Sequence, residues 1–323
     1  MTIFLPRYNA PHRKDTRIVP KNWSAVNPSD PITVVTSFWF VKGSKNSKAQ
    51  YESWIRAFLN QVTTNLVIFT SRESWEAMGN LPTKGNVAFV LDYKEPFEIP
   101  CATSLEEEYR AHQFAIDPHP RFAPELYAIW NAKGCLVNRV IRENPFNSKY
   151  FFWVDIGSVR NPAWNTSTEW PSLSRVKTIF KEHPDTPLFS MINPPEVHMA
   201  NWTTDHGPFQ PFLMQGGFFG GSRVGVKRFV REFWKLHDDY VQKGHFVGKD
   251  ESLMNTLLSV VMPDSLIIPS FKLDHGPCQD IWFYFHQFMA RDDQRFPGCQ
   301  APPAQSMKEL LSEYYKPEQQ VAS

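Results

Sequence analysis

The chain has 323 residues, 42% of them hydrophobic, 15% aromatic and 21% charged, a balance that excludes general disorder and requires a sizeable core. Its 34 Lys and Arg against 33 Asp and Glu leave a formal charge of +1, which excludes bulk attraction to nucleic acid or to an anionic membrane surface. No window reaches the ~20 apolar residues of a membrane span, and the first residues lack the apolar core of a signal peptide. Four cysteines, Cys101, Cys135, Cys278 and Cys299, are too scattered for a zinc ribbon and do not read as a disulfide scaffold, although a bridge from Cys278 to Cys299 stays open. The 11 Trp, 26 Phe and 10 Tyr suit sugars and bases as well as an aromatic-rich core.

Residues 1–30 mix Pro, Lys, Arg and Asn without periodicity and read as an arm. Regular structure begins at Ile32-Thr33-Val34-Val35-Thr36-Ser37-Phe38, a β-branched run of strand length. An amphipathic helix is predicted over 49–61, a strand over 66–70, a short helix over 71–78 and a strand over 87–91. Strands alternating with helices predict a parallel sheet with right-handed crossovers. After a Pro-interrupted connection, helices are predicted over 105–114 and 124–143, the latter with Pro124 at its start and Asn144-Pro145 at its end. Lys133 and Arg139 lie within it.

The next strand, Tyr150-Phe151-Phe152-Trp153-Val154, is apolar throughout and runs straight into Asp155-Ile156-Gly157. A strand buried on both faces reads this way, so it belongs in the middle of the sheet. Ligands of such sheets bind beyond the carboxyl ends of the strands, which is where Asp155 falls, with Gly157 admitting close approach and Arg160 available to an anion. The plainer role for Asp155 is to cap the following turn. Residues 161–211 are rich in Pro, Asn, Thr and Trp, with a helix predicted over 173–182 and a strand over 188–192. Trp164, Trp170 and Trp202 are candidates for a sugar-binding wall there.

Two Gly-Gly pairs in Gln215-Gly216-Gly217-Phe218-Phe219-Gly220-Gly221 demand close approach of a ligand or a neighbouring strand. The stretch is neither a Walker loop nor a dinucleotide fingerprint. A long amphipathic helix over 224–242 follows, and another helix opens at Gly248-Lys249-Asp250-Glu251, whose acids serve at the least as helix-dipole partners. Two short strands over 265–269 and 271–273 lead to Asp274-His275-Gly276, where His275 is a candidate metal ligand. A short helix over 307–315 and a frayed end complete the chain.

Taken together, these motifs resemble the HtrL/YibB family of GT-A glycosyltransferases over roughly residues 33–290. The resemblance runs through Thr36-Ser37-Phe38-Trp39-Phe40, Trp153-Val154-Asp155-Ile156-Gly157 with Arg160, the Gly-Gly-Phe-Phe-Gly-Gly strand and Gly248-Lys249-Asp250-Glu251. Residues 152–157 and 216–255 are also similar to the retaining transferases of the ABO blood-group type. The resemblance implies an α/β GT-A fold with a mixed, mainly parallel sheet flanked by helices, in which 31–160 form a nucleotide-binding half, 161–290 an acceptor and catalytic half, and 291–323 a tail.

It further implies a transferase that moves a hexose from a nucleotide sugar, UDP-linked, to a hydroxyl of a glycan or glycoconjugate acceptor with retention. Glu251 is then the nucleophile or charge stabiliser and Asp250 holds the sugar, since an oxocarbenium-like state calls for a carboxylate near C1. Ser37, Phe38 and Trp39 would meet base and ribose. Gly216 and Gly217 would lie along the donor, and Lys133, Arg160 and Arg223 beside its phosphates. The family's Asp-x-Asp motif, which holds Mn²⁺, survives only as Asp155, because Gly157 takes the second place. Either a divalent cation is held by Asp155 and His275, or Lys and Arg neutralise the diphosphate alone. The rival readings are a non-catalytic binding protein on the same fold and a metal-dependent hydrolase or nucleotidyltransferase. The compartment is open: cytoplasmic as written, or the Golgi lumen if an anchor has been removed.

Overall fold

The computed structural model describes residues 30–42, 46–79, 81, 87–118, 122–160, 169–273, 278, 280–300 and 302–315. Three nearly fully buried strands come first: β1 (Ile32–Phe38), β2 (Asn65–Thr70) and β3 (Val87–Val90). The helices between them, α1 (Lys48–Gln61) and α2 (Arg72–Met78), begin where the sequence supplies a cap. Ser47 Oγ accepts from the Gln50 N–H while the Gln50 side chain accepts from the Ser47 N–H, and Ser71 Oγ accepts from the Ser74 N–H.

Beyond β3 the chain reaches α3 (Phe114–Ile116) through a π-helical turn at Glu108–Gln113, where an ordinary helix was expected. Its wider winding turns Tyr109 and Gln113 inward together. Gln113 then donates to the His245 carbonyl and accepts from the Val247 N–H, bonds that hold the turn against the far half of the chain. The helix α4 (Pro124–Glu143) leads into β4 (Tyr150–Val154), which pairs in parallel with β1 on the side away from β2.

The second half supplies α5 (Leu173–Ile179), β5 (Leu188–Met191), β6 (Met214–Ser222), α6 (Arg223–Gln242), α7 (Asp250–Thr256), β7 (Leu266–Pro269), α8 (Phe285–Phe288), β8 (Gln305–Ser306) and α9 (Met307–Tyr314). One eight-stranded sheet results, in the order β3-β2-β1-β4-β6-β5-β7-β8. It is mixed and mainly parallel, as expected, with β6 antiparallel to β4 and β5, and β8 antiparallel to β7. The strand expected over 271–273 is instead a 3-10 turn, Ser270–Lys272. The neighbour that β7 acquires is β8, from the segment read as a tail.

Both faces of the sheet are covered, which is why its strands lack alternation. Val35, Val67, Phe151, Trp153 and Phe219 pack in one core with residues of α4, α6 and α7. Val34, Leu66, Phe152, Val154 and Phe218 pack in the other with α1 and α8. Two disulfides join Cys101 to Cys135 and Cys278 to Cys299. The second realises the open possibility. The first corrects the reading of scattered cysteines: its 34-residue separation carried no signal, and the pair meets because the connection after β3 shares a core with α4.

In β6, Gly220 is set by contact with β4. A Cβ on Gly220 would stand 2.1 Å from Phe152 Cδ1 and 2.7 Å from the Phe151 carbonyl oxygen, so the strands approach only without one. Gly220→Ala is expected to cost about 1–3 kcal/mol, lowering the urea midpoint with an unchanged slope. An unchanged midpoint would mean that the pairing of β4 with β6 relaxes freely.

Candidate functional site

From β1 the chain winds outward to β2 and β3, and β4 then joins β1 from the opposite side. Successive crossovers diverge at that point and leave a crevice beyond the carboxyl ends of β1 and β4, the position where open α/β sheets bind ligands. A cavity of about 520 Å³ lies there, lined by Ser37, Phe38 and Trp39 at the end of β1, by Asp155, Gly157 and Arg160 after β4, and by Lys133, Gly217, Asp250 and Glu251. Residues from five separate stretches of the sequence reading thus meet in one place.

The centre of the wall is Lys133. It projects from α4 beneath the sheet's edge, is only 4% exposed, and donates a 2.8 Å hydrogen bond to the Gly216 carbonyl. Its ammonium lies 2.9 Å from Asp250 Oδ2 and 3.6 Å from Asp155 Oδ1. Burial works against the charge, but Asp155 and Asp250 outweigh it and hold the ammonium protonated. Asp155 Oδ1 also accepts a 2.7 Å hydrogen bond from the Trp153 indole N–H, two residues back on the same face of β4. The side chain therefore does not cap its own turn. It stays 41% exposed to the cavity.

The two acids of α7 come in against β6. Their approach needs bare backbone, since a Cβ on Gly216 would meet Asp250 Oδ2 at 2.9 Å and Glu251 Cγ at 3.1 Å; Asp155 needs the same at Gly217, where a Cβ would meet its Oδ2 at 3.1 Å. Glu251 Oε1 accepts from the Gly216 N–H at 3.2 Å, and Asp250 Oδ1 accepts from the Glu251 N–H at 3.1 Å. Burial pushes the Asp250 carboxyl up against the pull of Lys133. Burial, then the charge of Asp250, pushes Glu251 up to about 7.

Arg160 is held at the rim, its guanidinium 4.3 Å from the Trp54 ring centroid and 4.8 Å from that of Phe283. Lys249, buried at the start of α7, has its ammonium 5.3 Å from each of the Phe122 and Phe212 rings. The turn after Asp155 is braced from behind. Ser158 Oγ shares a 2.9 Å hydrogen bond with His286 Nε2, and His286 Nδ1 shares one of 3.0 Å with the Gln61 amide. Burial pushes the His286 pKa down to about 3, so the brace stays neutral.

Other expected residues fall elsewhere. Arg223 lies exposed at the opposite edge of the sheet, because Ser222 pairs with Tyr150 at the amino end of β4. Trp170 is wholly buried, its indole N–H donating to the His286 carbonyl, and Trp202 packs on Phe209, so neither forms a cavity wall. The walls come instead from Trp39, Trp130, Trp282, Phe122, Phe212 and Phe283. Trp164 and His275 lie outside the described residues.

A buried polar residue also escaped the sequence reading. Gln215 is 1% exposed and neither amide atom has a hydrogen-bond partner among the described residues, yet its nitrogen faces the gap left by the missing side chain of Gly217, as Asp155 does. A polar residue in an otherwise apolar buried strand was the available signal.

The described donor set does not suit a divalent cation. Gly157 contributes no oxygen where a second carboxylate would stand, and Asp155 Oδ1 already faces an indole N–H and, at 3.6 Å, an ammonium. An ion at ~2.3 Å from that oxygen would stand at most about 6 Å from the Lys133 ammonium, whose repulsion opposes the pull of the carboxylates.

No protein-family model and no curated protein matches the chain. Among solved structures, the apo form of mouse xyloside xylosyltransferase 1 is similar, with 12% sequence identity over 70% of this chain and 81% of that one and a TM-score of 0.38. A superposition that partial says nothing of this chain's chemistry.

The raised Glu251 pKa links the site to stability. Between its ordinary value of 4.5 and about 7, the folded chain keeps a proton that the unfolded chain gives up. The associated stability is complete below 4.5 and is lost as pH rises through about 7. Glu251→Gln should therefore flatten the fall in unfolding free energy between pH 5 and pH 8 by on the order of 1–3 kcal/mol. Urea titrations of both proteins check this; parallel curves would place the Glu251 carboxyl near its ordinary value.

Proposed function

We propose that the cavity holds a nucleotide sugar, UDP-linked, and that the protein is a glycosyltransferase of the GT-A kind transferring a hexose with retention to a hydroxyl of a glycan or glycoconjugate. The observation that carries this reading is the convergence of Asp155 with Asp250 and Glu251 on one wall of a cavity at the switch point of the sheet. Ser37, Phe38 and Trp39 stand where base and ribose would lie, and Arg160 stands at the rim where a diphosphate would lie. Phe122, Trp130 and Phe212 also line the cavity and offer aromatic faces suited to an acceptor ring.

As the bond from C1 to the diphosphate breaks, positive charge grows on the sugar ring. A carboxylate facing that centre stabilises it, and burial makes the interaction stronger than it would be in water. Glu251 takes this part, with Asp250 orienting the ring hydroxyls and kept in place by Lys133. An ionised Glu251 is required, so turnover rises with pH through about 7.

Gly157, in place of a second acid, favours a second reading, that of a protein which binds sugar nucleotides without turning them over. The paired cysteines favour a lumenal, oxidising compartment over the cytoplasm.

A panel of nucleotide sugars, scored by thermal protection and by release of nucleotide, tests the proposal. Protection and turnover by a UDP-sugar are expected, with Glu251→Gln losing about 10²-fold or more in kcat while protection by UDP persists. Protection without turnover in the parent protein would favour the second reading. Protection by no nucleotide would refute both. In the parent, kcat should climb between pH 6 and pH 8; a falling profile would make Glu251 a proton donor instead.

A further inference from the structure

We infer that the transferase site works without a divalent cation, Lys133 standing where such an ion would balance the acids and side-chain cations meeting the donor diphosphate; the inference rests on the nucleotide-sugar reading above. Three observations carry it. The Lys133 ammonium is fixed between Asp250 at 2.9 Å and Asp155 at 3.6 Å by its bond to the Gly216 carbonyl, and the residue is only 4% exposed. Asp155 is the carboxylate the family motif would offer to a metal, and its Oδ1 is already directed at the Trp153 indole and at this ammonium. Two further cations, Arg160 and Lys249, line the same cavity, so Lys133, Arg160 and Lys249 face Asp155, Asp250 and Glu251. With Lys133 bound to Asp155 and Asp250, Arg160 at the rim is placed to receive an anion.

The reaction balances without a metal. The C1–O bond to the diphosphate breaks and its electron pair leaves on the diphosphate oxygen. A new C1–O bond forms to the acceptor, whose hydroxyl proton passes to the departing diphosphate. Nothing is oxidised or reduced, and every charge that develops has a named side chain of opposite sign beside it.

Calorimetry with UDP as the probe, in EDTA and in Mn²⁺, tests the inference, together with the paramagnetic resonance of Mn²⁺ titrated with the protein alone. The dissociation constant for UDP is expected to differ by less than about threefold between the two conditions, and the free Mn²⁺ signal should be undiminished by the protein. UDP binding that appears only with Mn²⁺, or Mn²⁺ captured stoichiometrically by the free protein, would overturn the inference and leave the transferase reading standing. UDP binding in neither condition would bring down that reading and the inference together. In Lys133→Gln the acids lose their cation, so the variant should gain a bound Mn²⁺ and bind UDP about tenfold more weakly in EDTA than in Mn²⁺. If Lys133→Gln does not fold, Lys133→Arg serves, since it keeps the charge and should keep UDP binding insensitive to EDTA; a requirement for Mn²⁺ in that variant would count against the inference.

Discussion

The desolvated ammonium of Lys133 is the constraint from which the arrangement around it follows. Asp155 ends β4, Asp250 opens α7, and the two would repel each other in so little water were a cation not held between them. A buried pair of this kind contributes little net stability, but removing one partner costs several kcal/mol. Its importance is geometric. The carbonyl of Gly216 aims the ammonium, so the path of β6, the start of α7 and the end of β4 are tied through one atom.

That tie explains the glycines. The acids of α7 lie against strand β6 at Gly216 and Asp155 lies against it at Gly217, where side chains are missing, while Gly220 in the same strand admits the Phe152 ring of β4. One strand therefore serves two close approaches, one toward the chemistry and one toward the core. Its Gly-rich composition reflects contact on both sides and, at Gly221, a backbone angle of φ +152° that residues with side chains rarely adopt.

Much of this was legible in the sequence. Both-face burial writes a strand as an unbroken apolar run, so β4 and the acid at its end could be read directly, as could the long amphipathic helix α6. The direction of a strand is written nowhere. Arg223 follows the Gly-rich run and was expected beside the phosphates, but β6 runs antiparallel to β4, so its first residues reach the cavity and its last reach the other edge. The eight steps from 215 to 223 span roughly 25 Å at the usual rise of a strand. Side-chain direction was equally hidden: Trp170 faces the core, whereas Trp130 and Trp282, never singled out as a wall, line the cavity beside the expected Trp39. Lys133 was named, but its two acidic neighbours come from elements distant in sequence that only the fold brings near.

The sheet ends on one side in β3, with four residues, and on the other in β8, with two. Unpaired strand edges invite other chains to add on, and the invitation scales with the length of ladder exposed. Here the longest strand, β6, lies well inside, flanked on both sides by β4 and β5. A chain so rich in apolar strands is thereby kept from growing into ribbons of its own copies, and the brief pairing contributed by residues 305 and 306 closes off the β7 flank.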